Sequence, residues 1–534
     1  MVKKQLSTNT LILLVTAFIA LSGNGALISS LLKAYPLSGS NIVALLSLII
    51  VFGGSTVLMF SLLCFGKTTK PVLITVLLLS AAAAYFMDSF GVIISDDMLR
   101  NVAHTNAAEA LELFNPKLLA YLLLLGALPA FAVAKLPLAR AGWRAELLSR
   151  LKLIGITVAL MVGTVLMLGG FYASFSREHK EIRQRVNPNY YLYSTVRFLL
   201  QSVPSPGSGL LAQIGMDAAI PATDVSRDLV IMVVGETARA DRFSLNGYSR
   251  ETNPQLAKRD VISFPNLWAC GTSTAVSVPC MFLLDGEAKP TAVINSEENL
   301  LDVLKHGGVH VLWLDNNSDS KGVASRAEFR DFRSPGINPV CDTECRDEGM
   351  LTVLQQYIDS RPSGDIFIVL HQMGNHGPAY YRRYPPEFEK FKPACKSSDL
   401  STCSREEIGN AYDNAILYTD YFLAKTIDLL KMNDSKFETA LFYVSDHGES
   451  LGENGLYLHG LPRNIAPEAQ LRVPAVMWFG SKFHAVDVPA LKKKASSRFS
   501  HNNVFHTILG FFEMETAAYI SSKDILDQAK PVKK

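Results

Sequence analysis

Ala440-Leu441-Phe442-Tyr443-Val444-Ser445-Asp446-His447-Gly448-Glu449-Ser450 runs from five apolar residues straight into an acid, an imidazole and a glycine. An unbroken apolar run of this length reads as a strand buried on both faces, and its polar end as a strand terminus. Three more segments follow the same plan. Leu229–Val234 ends at Gly235-Glu236-Thr237, Val309–Leu314 ends at Asp315, and Ile366–Leu370 ends at His371. Helical stretches at Asn299–Lys305, Met350–Ile358 and Ile408–Leu430 lie between them. Strands alternating with helices predict a doubly wound α/β sheet covered on both faces. Such sheets bind ligands beyond the carboxyl ends of their strands, where this chain carries Glu236, Asp315, His371, Asp446 and His447.

Asp446 and His447 offer one hard oxygen and one imidazole nitrogen, a pair that zinc accepts. Glu236 adds a second oxygen, or else caps a helix together with Thr237. A fourth donor is available in Cys270-Gly271-Thr272-Ser273-Thr274-Ala275-Val276-Ser277-Val278-Pro279-Cys280, a short loop with cysteines at both ends and Pro279 at its exit. A hydroxyl there, ionised beside a divalent cation, is an activated nucleophile. Thr272, Ser273, Thr274 and Ser277 all qualify, and a plain disulfide-stapled turn is the competing reading. Further histidines sit near glycine turns: His371 and His376 in His371–Pro378, and His459 before Gly460. Together they suggest a second metal or a phosphate-binding shell.

The rest of the chain has a different composition. Of 534 residues, 49% are hydrophobic, and the long apolar runs concentrate before residue 175. Segments near 11–33, 42–65, 71–94, 118–134 and 152–174 each approach the roughly 20 residues that cross a bilayer. Basic residues lie before the first, between the second and third, and between the fourth and fifth, whereas Asp96, Asp97, Glu109 and Glu112 mark the loop at 95–117. This pattern predicts five spans, a cytoplasmic N-terminus, and everything after about 175 outside. The net charge of +2 gives no global field for nucleic acid. Six of seven cysteines form the close pairs Cys270/Cys280, Cys341/Cys345 and Cys395/Cys403, as expected of disulfides in an oxidising compartment. The domains expected are 1–174 in the membrane, 175–225 as an interfacial helix and bridge with a flexible linker at Val203–Gly209, and 226–534 as the soluble domain.

Gly235-Glu236-Thr237-Ala238-Arg239, Cys270–Cys280, His371–Pro378 and Ser445–Gly455 together resemble the phosphoethanolamine transferases of Gram-negative inner membranes, above all those that modify lipid A and confer colistin resistance. The resemblance covers nearly the whole chain. It implies an alkaline-phosphatase-like or sulfatase-like periplasmic domain behind the membrane helices of a multi-pass inner-membrane monomer. It implies zinc, one ion held tightly and a second possible, on Glu236, Thr274, Asp446 and His447. It singles out Thr274 as the nucleophile that becomes a phosphoethanolamine-threonine. His376 and His459 fall on outer histidines, Asn101, Thr105 and Glu109 on donor-lipid contacts, and Ser318 and Lys321 on phosphate and head-group contacts. Asn101, Thr105 and Glu109 are spaced by four, which predicts one helical face. Ser320 and Ala324 stand where relatives often carry another cysteine pair. The reaction implied moves phosphoethanolamine from phosphatidylethanolamine to a lipid A phosphate, which weakens cationic peptide binding. Another acceptor, such as a core sugar or a periplasmic glucan, and a membrane-anchored sulfatase or phosphodiesterase are the alternatives.

Overall fold

The computed structural model describes residues 5–105, 107–139, 142–202, 211–287, 294, 296–484 and 486–527, with backbone only at 40, 104, 107–109 and 202. The linker expected at Val203–Gly209 lies outside the described residues. The chain forms two compact units: Met1–Leu99 with Phe114–Phe198, and Arg100–Leu113 with Leu199–Lys534.

In the first unit, four helices among the described residues are long and apolar enough to cross a membrane: Asn41–Leu63, Gly66–Phe90, Pro116–Lys135 and Trp143–Met167. The segment expected as one span at 11–33 is instead two helices, Thr8–Ser22 and Gly25–Ala34, bent by 62°. The break has a cause. Asn24 Nδ2 donates to Ile19 O and to Asn187 O, both at 2.9 Å, and the Asp88 carboxylate accepts the Ala26 N–H at 2.6 Å. These side chains take up the backbone groups that a continuous helix would pair internally. The last span begins nine residues before the expected 152, so Arg144, Arg150 and Lys152 lie in its opening turns and not in a preceding loop. Arg150 is held there by bonds to Asn9 Oδ1 (2.7 Å) and Cys64 O (2.9 Å).

The second unit is built on an eight-stranded mixed sheet. Its strands are β1 Asp228–Gly235, β2 Ile262–Trp268, β3 His310–Asp315, β4 Glu328–Asp331, β5 Ile366–His371, β6 Glu438–Ser445, β9 Arg472–Phe479 and β10 Phe499–Ser500. A separate hairpin pairs β7 Ser450–Leu451 with β8 Tyr457–Leu458. The order is β10-β2-β9-β6-β1-β5-β3-β4, parallel from β6 through β4 and antiparallel at β9. Successive residues of β1 serve opposite cores: Val230, Met232 and Val234 pack on one face, Leu229, Ile231 and Val233 on the other. Burial on both faces explains why the four expected strands are continuously apolar. Met350–Ile358, expected as one helix, divides into a 3-10 segment Asp347–Val353 and a helix Leu354–Asp359. The disulfides Cys270–Cys280, Cys341–Cys345 and Cys395–Cys403 are all present.

Register fixes the site. Val234 lies opposite His371, Asp315 opposite His371, and Gly235 opposite Ser445. The carboxyl ends of β3, β5, β1 and β6 are therefore level, and the residues that follow them emerge along one edge.

Candidate active site

Glu236 leaves β1, and Asp446 and His447 leave β6. Each side chain is at most 1% exposed. His447 Nε2 lies 3.4 Å from Glu236 Oε1 and 3.3 Å from Asp446 Oδ2. His447 Nδ1 is 2.9 Å from the Gly448 carbonyl, so it is the nitrogen that carries the proton, and Nε2 turns its lone pair toward the carboxylates. Asp446 is divided in a similar way. Its Oδ1 accepts the N–H of Thr237 at 3.1 Å and of His447 at 2.7 Å, while among the described residues its buried Oδ2 accepts no hydrogen bond. Burial raises the Asp446 carboxyl above its ordinary value and pushes the His447 imidazole well below its own, with the nearby His459 adding to the second effect. Two buried carboxylates and one neutral imidazole, with ligand atoms within 4.8 Å of one another, form a donor set that a divalent cation would neutralise. The residues present fit a metal.

The stretch Cys270–Cys280 is not all loop. Residues Thr274–Phe282 form a helix with Ser273 as N-cap, and Pro279 lies inside that helix and not at an exit. Gly271 makes the approach tight: a Cβ there would lie 2.5 Å from Val276 Cγ1. The four hydroxyls now separate. Thr272 Oγ1 donates to Leu461 O at 2.6 Å, and among the described residues the Ser273 and Ser277 hydroxyls bond to nothing. Thr274 Oγ1 lies 3.1 Å from Glu236 Oε2 and 3.4 Å from His447 Nε2. It sits at the first turn of its helix, where unpaired N–H groups favour negative charge on oxygen.

The supports of this cluster were not foreseen. Asn317 Nδ2 donates to Glu236 Oε2 and to Gln372 O, both at 2.7 Å. Gly374, at φ +51°, rides over Glu236, where a Cβ would come within 3.0 Å of its main chain. His501 accepts the Cys270 N–H at Nδ1 (3.3 Å), so its Nε2 donates to Ser445 O (3.0 Å), tying the Thr274 segment to the end of β6. Thr237, Lys321 and Leu458 have positive φ (52°, 52° and 62°), so backbone strain gathers beside Glu236, in the Ser318 loop and before His459.

Two family models divide the chain. One described as phosphoethanolamine transferase EptA/EptB matches residues 54–203, and one described as sulfatase matches 228–514. Phosphatidylethanolamine transferase Mcr-1 of Escherichia coli is 40% identical, over 89% of this chain and 90% of that protein. The chain belongs to the phosphoethanolamine transferase family. Phosphoethanolamine transferase EptA of Escherichia coli K12 is 38% identical across 99% of this chain and 98% of its own. The integral membrane lipooligosaccharide phosphoethanolamine transferase A of Neisseria meningitidis superposes with a TM-score of 0.93 at 34% identity, covering 99% of this chain and all of that one.

In this family member the outer histidines join the cluster. The His459 ring is 4.3 Å from that of His447 and 5.7 Å from that of His376, and its Nδ1 meets Glu449 Oε2 at 2.7 Å. His447, Glu449 and His459 form a second group able to hold a metal. The His376 imidazole is pushed well below its ordinary value, first by burial and then by its neighbours His459 and Arg383. His371 faces Asp315 instead, 2.8 Å away through Nδ1. Ser318 and Lys321 are buried in the loop after β3, and Lys321 Nζ donates to Ser318 O at 2.9 Å. Asn101, Thr105 and Glu109 do not share one helix: Asp96–His104 ends before Thr105, and a second helix spans Ala107–Glu112. Thr105 Oγ1 still donates to Asn101 O at 2.9 Å, and the Glu109 side chain lies outside the described residues. Beside Asn317 a cavity of about 720 Å³ opens, with Arg333, Glu344, Met373, Arg382 and Arg383 in its walls.

Proposed function

We propose that this chain is an inner-membrane enzyme that moves phosphoethanolamine from phosphatidylethanolamine to a phosphate of lipid A, with its catalytic domain in the periplasm. The observation that carries the reading is the Thr274 hydroxyl, buried at a helix N-terminus against Glu236 and His447. Glu236, Thr274, Asp446 and His447 would hold zinc, which when bound supplies the Lewis acidity that favours the ionised hydroxyl. Thr274 Oγ attacks the donor phosphorus, the bond to the glyceryl oxygen breaks, and diacylglycerol leaves. His459, its ring fixed by Glu449, gives that oxygen a proton. An acceptor phosphate oxygen then attacks the phosphoethanolamine-threonine and releases Thr274. His376, kept neutral, takes the proton of the incoming phosphate. Asn101, Thr105 and Glu109 serve the donor lipid, and Ser318 and Lys321 its phosphate. The added ammonium offsets lipid A charge and weakens polymyxin binding.

Mass spectrometry of lipid A from cells with and without the protein tests this reading. A mass gain equal to phosphoethanolamine is expected. Lipid A unchanged beside a modified core sugar would move the reading to that acceptor.

A further inference from the structure

Glu112 ends the helix Ala107–Glu112, in the stretch Arg100–Leu113 that clusters with the catalytic unit. Its carboxylate meets the Arg383 guanidinium and lies 3.7 Å from that of Arg382. The Arg383 side chain is 2% exposed, so water and salt screen this pair far less than a surface pair. The same guanidinium donates through Nη1 to Glu344 and, at 2.7 Å through Nε, to the main-chain oxygen of His376. Glu344 is fixed in turn. The Cys341–Cys345 disulfide closes its loop, and Arg346 lies 3.6 Å away. The planar fork serves Glu112, Glu344 and the His376 carbonyl in a single orientation, so the Glu112 arm helps set the plane in which the Nε bond to that carbonyl is made.

We propose that Glu112 is a positioning residue: it orients Arg383 and, through the bond to the His376 carbonyl, holds that imidazole beside His459. The inference rests on His376 serving the transfer proposed above. It makes turnover depend on how the stretch Arg100–Leu113 is seated against Arg383.

The test uses the full chain in detergent with phosphatidylethanolamine and lipid A, following diacylglycerol release together with hydrogen exchange of the peptide carrying residues 374–379. Glu112→Ala is expected to lower kcat about tenfold while KM stays within about twofold, the mark of misplaced chemistry and not lost binding. Glu112→Gln, which keeps a hydrogen bond, falls between the two. In a His376→Ala background, Glu112→Ala adds nothing further, because it acts through that ring. Exchange in the peptide rises in Glu112→Ala whether or not the lipid substrates are the right ones, so a failure of the proposed reaction is distinguishable from a failure of this inference. Unchanged exchange, or a Glu112→Ala loss that multiplies in full on top of His376→Ala, overturns it.

Discussion

At the scale of single residues, the chemistry turns on which oxygen is left for a cation. Asp446 gives one oxygen to two backbone N–H groups and keeps the other. Asp446→Asn preserves that shape but puts either an N–H or a neutral carbonyl where the charge was. Bound zinc, measured by elemental analysis of the purified protein, should fall well below one ion per chain. Retention of a full ion would remove Asp446 from the ligand set. Thr274→Ala should lose the phosphoethanolamine adduct in an intact-mass measurement and slow diacylglycerol release by about a thousandfold or more, whereas Thr274→Ser keeps the adduct. Release at the wild-type rate from Thr274→Ala would end the nucleophile assignment. The sequence made Glu236, Asp446 and His447 legible, because each follows directly on a buried strand. It did not separate four neighbouring hydroxyls, since that separation depends on Leu461 O occupying Thr272 from 189 positions away.

At the scale of elements, what was legible was what repeats locally. Continuous apolar runs marked β1, β3, β5 and β6. The strands β2 and β9 were not predicted, and both contain proline, Pro265 and Pro474. Proline reads against an interior strand. Both strands tolerate it where pairing lapses: the β2–β9 register breaks between Phe264 and Leu267, and β9 pairs with β6 from Ala475 onward. The role of His501 was equally hidden, since a histidine 54 residues past His447 carries no local pattern. Burial lowers the His501 imidazole to about 4. Below the ordinary value near 6.5, the unfolded chain therefore binds a proton that the folded chain refuses, and stability falls as pH drops from about 6.5 toward 4. The full effect is about 3 kcal/mol. Thermal melting of the purified protein should therefore drop between pH 7 and pH 5. His501→Gln should lessen that slope without abolishing it, because His506 is also lowered to about 4. An identical slope in the variant would show that His501 takes up its proton equally in the folded and unfolded chain.

At the scale of the whole molecule, the orientation of the membrane helices follows from which end of the first unit gathers the positive charge. Leu6 pairs with the turn after the Pro116–Lys135 helix, its N–H donating to Pro137 O at 3.0 Å. Lys70 Nζ donates to Ala134 O at 2.8 Å, and Arg150 reaches both Asn9 and Cys64. These contacts bring the starts and ends of five helices to one end of the unit, with Lys67, Lys70, Lys135, Arg144, Arg150 and Lys152 around it. Helix Gly66–Phe90 runs from that end and finishes near Asp88, which holds the start of Gly25–Ala34 and accepts from Tyr121 at 3.2 Å. The short connections and helix ends here carry Lys67, Lys70, Lys135 and Arg144, so the positive-inside rule predicts that this end faces the cytoplasm. In a Cys64→Ala background, a cysteine at Gly66 should therefore resist a membrane-impermeant thiol reagent in spheroplasts and react only after lysis, whereas a cysteine at Asp97 reacts in both. The reverse pattern would invert the topology. It would also place the Thr274 cluster in the reducing cytoplasm, where its flanking disulfide Cys270–Cys280 does not persist.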